Sequence, residues 1–458
     1  MGQIQLQNNI CAIFVHAGAG FHSRENEAKH LEVCALAAEA GMTFLRHGGS
    51  AVDAVEMAVM VLEDAPITNA GYGSNLTDKG QVECDASIVD HFGRSGAAGA
   101  VPNVKNPIQL ARKIYDHSYN AMPMSRVPPN FLVGEGATDF AWDHKIMVLP
   151  NECLIATLSH QRYQNWCHEV ADYKRDNPLT ESEAEDLWRR GTPSPNSTRL
   201  ERAYPGFQKI LDAASSIEYD QDTSQSGSLL LTEALDGETK KGKARASSTS
   251  LTIEHESTLN ESANHDRKDG EDLITDTVGA IAVDMYGNIA AGASSGGIGM
   301  KHRGRVGPAA LIGVGNHVIP VNPNDVEKTT VAVVTSGTGE HIASTFAART
   351  CADKLYHNHS LNDAGSYVTV NEEEAIRDMI VKDFAGHPAV LNSEIPGSIG
   401  ILAVKKTVDG IALFFGHNTD SFALAYMSNK DTTPGCVMSR NEGQSPCAQG
   451  GVMIRPKK

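Results

Sequence analysis

One threonine in the chain has the surroundings that a self-activating nucleophile requires. Thr277 follows Asp276 and begins a run of apolar and small residues that is typical of a buried strand. A threonine hydroxyl is a weak nucleophile until a base removes its proton, and an N-terminal threonine supplies that base through its own α-amine. Scission between Asp276 and Thr277 would create such an N-terminus. The pattern is compatible with this chemistry, but on its own it is more typical of a threonine that simply opens a strand.

Three runs downstream carry groups that such a reaction needs. The Ser-Ser-Gly-Gly run at 294–297 offers hydroxyls and backbone that other groups can approach closely. The basic run at 301–307 offers guanidinium groups, which bind carboxylates in bidentate fashion. The Thr-Ser-Gly-Thr-Gly-Glu run at 335–340 is a strand-to-helix turn whose N–H groups suit an oxyanion. Taken singly, each run also fits an ordinary turn or a solvated basic face.

The elements predicted around these runs alternate between strands and helices. Residues 278–284 and 289–294 are β-rich and are joined by Tyr-Gly-Asn, which is a hairpin signal. A strand at 329–335 leads into a helix at about 340–357, and a second helix is predicted at 372–385. Further strands are predicted at 398–404, 411–417 and 422–427.

The N-terminal part of the chain is predicted to be compact α/β structure. An apolar strand at 11–15 runs into a Gly-Ala-Gly turn. Apolar residues at helical spacing predict helices at 29–47 and 51–63, and Pro107 favours the start of a third. The stretch 69–90 has the composition of a hairpin.

A polar segment separates the two halves. Its composition changes at about residue 161, and no Phe, Trp or Tyr occurs between 220 and 285. Such a stretch cannot bury enough apolar surface to offset the entropy lost on ordering. The predicted division is an α subunit (1–276) that is ordered at about 11–160 and carries a polar linker (161–272, with 220–272 mostly disordered), followed by a β subunit (277–458).

Charge and composition exclude several classes of protein. The formal net charge is −17, whereas a general nucleic-acid binder needs a surplus of Lys and Arg to neutralise phosphates. No apolar run approaches the roughly 20 residues that span a bilayer. The eight cysteines include no CxxC pair, so neither a zinc site nor a disulfide framework is expected. We expect an intracellular enzyme that binds neither nucleic acid nor membranes and needs no metal or organic cofactor.

Taken together, the motifs resemble those of the plant-type L-asparaginase and isoaspartyl-peptidase family, whose members are N-terminal-nucleophile hydrolases. The matching runs follow the family's order and spacing: HAGAG at 16–20, NAGYGSN at 69–75, TVGA at 277–280, SSGG at 294–297, GRVG at 304–307 and SGTGE at 336–340. The runs at 83–88, 128–136 and 443–445 are similar to the threonine aspartase branch, whose members are endopeptidases that cut after aspartate. The resemblance covers residues 11–150 and 273–455 and leaves out the linker.

This resemblance implies a fold and a set of roles around the nucleophile. The expected fold is α+β, a four-layer αββα sandwich interrupted by the long disordered linker. Thr277 matches the nucleophile, with its freed amine as general base. Ser295 matches a hydroxyl residue that contacts the nucleophile and tunes its amine. Asn75 lies in a loop that resembles the turn supporting the active site, and we predict that it contacts the substrate.

The residues that match the family's substrate contacts include one departure. Arg305 matches the arginine that grips a substrate carboxylate, and Ser336 and Gly337 match the oxyanion-hole pair. Three residues after that arginine, asparaginases carry an aspartate that binds the free α-amine of an amino-acid substrate. The chain has Pro308 there, which cannot pair with an ammonium ion. This disfavours free asparagine and suits a substrate whose nitrogen is already in a peptide bond.

A second departure concerns the binding of the substrate aspartate. Threonine aspartases use a lysine for it in the segment after the HAGAG run, where this chain has Asn26. Either Arg24 or Lys29 takes over this role, or the affinity for aspartate is weaker.

The resulting prediction is a self-processing threonine-type endopeptidase that cleaves protein substrates after an internal aspartate. The alternatives are an L-asparaginase or β-aspartyl (isoaspartyl) peptidase, and a pseudoenzyme scaffold. The resemblance also implies self-association as an (αβ)2 dimer of heterodimers. The expected location is cytoplasmic, with a nuclear fraction if the basic run at 240–245 acts as an import signal.

Overall fold

The computed structural model describes residues 10–177, 277–362, 364–443 and 445–456. Asp276 and the segment predicted to be disordered, 220–272, lie outside the described residues. The first described range contains four strands and five α-helices: β1 (Ala12–Gly20), α1 (Glu27–Arg46), α2 (Ala51–Asp64), β2 (Cys84–Val89), β3 (Ser95–Val101), α3 (Pro107–His117), β4 (Phe131–Val133), α4 (Gly134–Asp143) and α5 (Thr157–Asp176).

The ranges from residue 277 onward contain most of the strands. In chain order the elements are β5 (Val278–Val283), β6 (Ile289–Ser295), β7 (Asn316–Ile319), β8 (Thr330–Gly337), α6 (Gly339–Ser344), α7 (Ala347–His357), β9 (His359–Leu361), β10 (Tyr367–Thr369), α8 (Glu372–Asp378), a π-helix (Met379–Ala385), α9 (Pro388–Leu391), β11 (Ile399–Thr407), β12 (Gly410–His417), β13 (Ser421–Ser428), β14 (Gly435–Arg440) and β15 (Ala448–Ile454).

Two sheets form the centre of the molecule. The larger has eight strands in the order β14-β13-β1-β5-β6-β2-β3-β4, and the smaller has five in the order β15-β12-β11-β8-β7. Neighbouring strands are antiparallel except for β3 and β4. The larger sheet is built from both sides of the interruption at 178–276, since β1 pairs with β13 on one edge and with β5 on the other.

The central strands are buried on both faces, which produces four layers. In β1, Phe14 packs with Val334 of β8 between the sheets, whereas Ile13 packs among the residues of α1 and α2. In β8, Val334 faces the larger sheet and Val333 packs against α7. Successive side chains of a strand point to opposite faces, so each sheet has one face on the other sheet and one on helices. The predicted αββα sandwich is confirmed.

Several predicted elements need correction. Helix α5 continues through Asp176, so the polar linker begins after this helix and not at about residue 161. The helix predicted at 340–357 is divided into α6 and α7 at Phe346, whose φ of 48° is left-handed. The helix predicted at 372–385 changes from α8 to a π-helix at Met379. No helix among the described residues is long and apolar enough to cross a membrane.

A buried carboxyl group joins α2 to the larger sheet. Glu63 is fully buried, and its Oε1 accepts hydrogen bonds from Ser294 Oγ at 2.6 Å and from the Ile108 N–H at 2.9 Å. Its Oε2 has no hydrogen-bond partner among the described residues. Burial raises the pKa of Glu63 from 4.5 to about 8. Folding therefore favours the neutral form of this carboxyl group.

We expect the free energy of unfolding of Glu63→Gln, measured relative to wild type, to be higher at alkaline pH than at acid pH. Because the folded pKa is raised, ionisation of Glu63 lowers the free energy of unfolding as pH rises from 4.5 to about 8, by up to a few kcal/mol. Glutamine lacks this ionisation. Denaturant unfolding at pH 5 and pH 8.5 measures the change, with the exposed Glu32→Gln as control. Parallel pH profiles for wild type and Glu63→Gln would contradict this expectation.

Candidate active site

Most of the candidate residues meet in one cavity where the two sheets approach each other. The cavity has a volume of about 270 Å³, and its lining includes Thr277, Ser295, Asn75, Arg305 and Gly337. These residues come from five separate segments of the chain. The hairpin and turns predicted from the sequence bring them together.

The β5–β6 hairpin places two hydroxyl groups side by side. Val278 pairs with Ser294, so Thr277 at the beginning of β5 lies opposite Ser295 at the end of β6. Thr277 Oγ1 donates to Ser295 Oγ at 3.2 Å, and Ser295 Oγ also accepts the Gly297 N–H at 3.0 Å. Both residues are buried, with exposed fractions of 5% for Thr277 and 3% for Ser295. The backbone at Gly297 therefore fixes the hydroxyl that contacts Thr277.

Two asparagines hold the turn that follows Ser295. Asn75 Nδ2 and Asn69 Nδ2 both donate to the Gly297 carbonyl, at 3.0 and 2.8 Å. Asn69 Oδ1 in turn accepts the Asn75 N–H at 2.8 Å, and the Gly296 N–H donates to the Asn69 carbonyl at 2.8 Å. Asn75 thus contacts the backbone that follows Ser295 and also lines the cavity.

Arg305 lies in a narrow slot beside Thr277. A methyl group added at Gly297, Gly307 or Gly339 would lie within 2.8 Å of its terminal guanidinium nitrogens. Its Nε and Nη2 each lie 3.0 Å from Glu340 Oε1. Close packing of backbone around a guanidinium group restricts its rotamers, so Arg305 presents a fixed positive charge to the cavity.

Lys301 and Asp85 are two oppositely charged residues that are buried next to the loop carrying Arg305. Lys301 is only 2% exposed, and its Nζ donates to the carbonyl oxygens of Glu83 and Gly296. Asp85 is wholly buried and accepts the Gly307 N–H at 2.7 Å. Burial lowers the pKa of Lys301 and raises the pKa of Asp85, and the attraction between the two opposes both shifts. The pair fixes both ends of the loop that carries Arg305.

The two residues predicted to form an oxyanion hole differ in position. Gly337 lines the cavity, with a φ of 135° and an ideal Cβ position only 2.1 Å from the Ser398 carbonyl oxygen. Only glycine fits there. Ser336 is buried behind it, and its Oγ accepts the Ala19 N–H at 3.0 Å. Ser336 does not belong to the cavity lining, although its hydroxyl keeps one proton to donate.

Neither of the two cations predicted to replace the missing lysine lies at the cavity. Arg24 and Lys29 are exposed, and both are absent from its lining. Lys29 Nζ donates instead to Asn26 Oδ1 at 2.9 Å. Helix α1 begins at Glu27, between these two residues. Their assignment to substrate binding stays a prediction.

Sequence reasoning missed two cavity residues, both on α5. Arg162 and Trp166 line the cavity, and Trp166 packs against Gly299. Their segment was assigned to the polar linker because charged and polar residues dominate it. Trp166 is a large aromatic side chain in a polar segment, and this is the signal that could have marked the helix as packed.

A comparison with protein-family models identifies the family of the chain. The model described as "Asparaginase" matches residues 9–192 and 212–406. The chain belongs to the asparaginase family. The N-terminal-nucleophile fold of this family agrees with the layered sheets described above, and members of the family are typically autoprocessed α–β heterodimers. Among the described residues, no group of three or more His, Cys, Asp or Glu side chains is arranged to hold a metal ion.

Individual relatives match over most of the chain. The human "Isoaspartyl peptidase/L-asparaginase" is 28% identical over 402 residues, which is 87% of this chain and 88% of the human protein. The "Probable isoaspartyl peptidase/L-asparaginase 2" of Arabidopsis thaliana is 30% identical over 391 residues, covering 83% and 90%. The mouse "Isoaspartyl peptidase/L-asparaginase" is 44% identical over a shorter stretch of 145 residues, covering 31% and 42%.

Proposed function

We propose that the chain is a self-processing threonine-type endopeptidase, a threonine aspartase, that cleaves protein substrates after aspartate. One observation carries this proposal. The cavity beside Thr277 is lined by the cations Arg305 and Arg162, while no Asp or Glu is among its described lining residues. Pro308 also lines the cavity, at the position where asparaginases carry the aspartate that binds a free α-amine. Such a cavity suits a substrate that brings a carboxylate and no ammonium group.

In the proposed maturation, the Thr277 hydroxyl attacks the carbonyl carbon of Asp276. The C–N bond breaks, and the acyl group passes from nitrogen to oxygen as an ester. Water then hydrolyses the ester, which leaves Asp276 with a carboxylate and Thr277 with a free amine. Thr277 is the residue immediately before β5, so the new amine stays at the cavity after the chain is cut.

In the proposed turnover, the freed amine of Thr277 takes the hydroxyl proton as Oγ1 attacks the substrate carbonyl. The Gly337 backbone stabilises the resulting oxyanion, and Arg305 fixes the aspartate side chain. Ser336, which lies behind Gly337 and outside the cavity lining, positions this backbone instead of contacting the oxyanion. Collapse releases the amine half of the substrate with the transferred proton. Water then hydrolyses the acyl-enzyme. Ser295 supports these steps through its contact with Thr277 Oγ1.

A second candidate is an L-asparaginase or isoaspartyl peptidase. The curated relatives that match most of the chain have this name, which favours the candidate on grounds of relatedness. An enzyme of that kind must bind the free α-amine and α-carboxylate of a small substrate. The described cavity lining of this chain contains no carboxylate to bind the substrate's α-amine, so such a partner would have to come from elsewhere. For that reason we place the endopeptidase first.

A panel of three substrates tests the proposal after N-terminal sequencing has established a fragment that begins at Thr277. The panel contains a peptide with an internal Asp-Gly bond, the matched Asn-Gly peptide, and a β-aspartyl dipeptide. We expect cleavage of the Asp-Gly peptide, at least tenfold slower cleavage of the Asn-Gly peptide, and no release of aspartate from the dipeptide. Hydrolysis of the dipeptide with the Asp-Gly peptide left intact would establish the second candidate and reject the first.

A further inference from the structure

Arg305 already has a carboxylate partner within the chain. Glu340 Oε1 lies 3.0 Å from both Nε and Nη2 of Arg305. The two partners differ in their surroundings, because the Arg305 side chain is 15% exposed and the Glu340 side chain is 59% exposed. A carboxylate in water therefore occupies one edge of a largely enclosed guanidinium group.

Apart from Arg162, which also lines the cavity, the charged groups at Arg305 and its loop are balanced without a substrate. Arg305 and Lys301 carry two positive charges, and Asp85 and Glu340 carry two negative charges. Asp85 is fixed below, because it accepts the N–H groups of Ala100 and Gly307 at 2.8 and 2.7 Å. Among the described contacts, the Glu340 side chain bonds only to Arg305. Glu340 is thus the carboxylate that can leave.

We propose that Glu340 is a specificity-determining residue that competes with the substrate's aspartate for Arg305. The inference rests on the proposed function, in which Arg305 binds that aspartate. A substrate carboxylate changes the balance of the four groups from zero to −1, and the resulting repulsion weakens the binding of acidic side chains relative to amides. The exposed Glu340 side chain relieves part of this repulsion by turning into solvent.

The Glu340→Gln variant tests this inference, because glutamine keeps the Oε1 acceptor and removes the charge. We expect the KM for the Asp-Gly peptide to fall about three- to ten-fold, an effect limited by the exposure of Glu340, with kcat within about twofold of wild type. N-acetyl-aspartyl amide should inhibit the variant correspondingly more strongly. Inhibition by N-acetyl-asparaginyl amide, which is neutral, should stay within about twofold.

A matched control distinguishes the effect of the Glu340–Arg305 ion pair on KM from the effect of removing any negative charge in the region. Glu394 precedes the cavity residue Ile395 and is exposed, with no bond to Arg305 among the described contacts. Glu394→Gln removes the same charge nearby, and we expect it to leave the KM within about twofold of wild type. An equal fall of KM in both variants would overturn the assignment to Glu340, since it would show a general electrostatic effect.

The remaining outcomes separate this inference from the proposed function. An unchanged or raised KM in an active Glu340→Gln enzyme overturns the inference alone, and a raised value would show that Glu340 supports Arg305. If the wild type hydrolyses only the β-aspartyl dipeptide, the proposed function is wrong. The two acetylated amides are then compared as inhibitors of that reaction, and an unchanged preference between them in Glu340→Gln overturns the inference.

Discussion

Replacing Thr277 with valine is expected to leave the chain uncut and to abolish hydrolysis. Valine has the shape of threonine and the same β-branched preference for strands, so β5 should form normally. It lacks the hydroxyl that attacks both the Asp276 carbonyl and the substrate. Loss of a nucleophile lowers kcat by at least about 10³-fold. Gel electrophoresis after prolonged incubation measures processing, and the Asp-Gly peptide measures activity.

Thr277→Ser is the matched control for this variant. Serine retains a hydroxyl at the same atom and a free amine after cleavage, so both fragments should appear, at a reduced rate. Circular dichroism would establish that Thr277→Val is folded. A folded Thr277→Val chain that still separates into two fragments would remove Thr277 from the proposed mechanism.

Replacing Lys301 with methionine is expected to lower the free energy of unfolding by about 3–5 kcal/mol, which is typical when a buried charge is left without its compensating charge. Methionine fills a similar volume and offers no donor. Asp85 then loses the nearest buried cation, and two buried carbonyl oxygens lose the Lys301 ammonium as partner. Denaturant unfolding of wild type and variant, in the same processed state, measures the difference.

The exposed Lys79 provides the control for this loss of charge. Its side chain is 69% exposed, so Lys79→Met should change the free energy of unfolding by less than about 0.5 kcal/mol. The double variant Lys301→Met with Asp85→Asn should recover part of the loss, because no ionised carboxyl group is then left alone. A cost below about 1 kcal/mol for Lys301→Met would contradict the buried position of its ammonium group.

The proximity of Thr277 to Ser295 could be predicted from the sequence because it depends on local rules. A two-strand hairpin with a short turn fixes which residues lie opposite each other, and this register brings Thr277 next to Ser295. Gly337 could be located because a backbone turn with positive φ requires glycine. The pattern of apolar strands and amphipathic helices predicted only two α/β halves, and the four-layer arrangement was expected from the family resemblance.

The features that the sequence did not predict depend on distant contacts. Trp166 and Arg162 reach the cavity from a helix whose polar composition is typical of a solvated segment. Arg24 and Lys29 were chosen by their distance along the chain, which does not determine the direction of a side chain where a helix begins.

A left-handed conformation is unfavourable for phenylalanine, so the preferences of Phe346 do not predict the break between α6 and α7. At this break the Ala348 and Arg349 N–H groups donate to the distant carbonyl groups of Val314 and Gly313.

The position of β1 between β13 and β5 explains why the protein is better synthesised as one polypeptide than as two. The chain up to residue 276 supplies β1, and the chain from Thr277 supplies the strands on both sides of it. If the two parts were synthesised separately, the first would have β1 without either of its neighbouring strands. The second would have β13 and β5 without the strand that lies between them. Synthesis as one polypeptide avoids this topological problem, and a later cut leaves two chains that can separate only by unfolding.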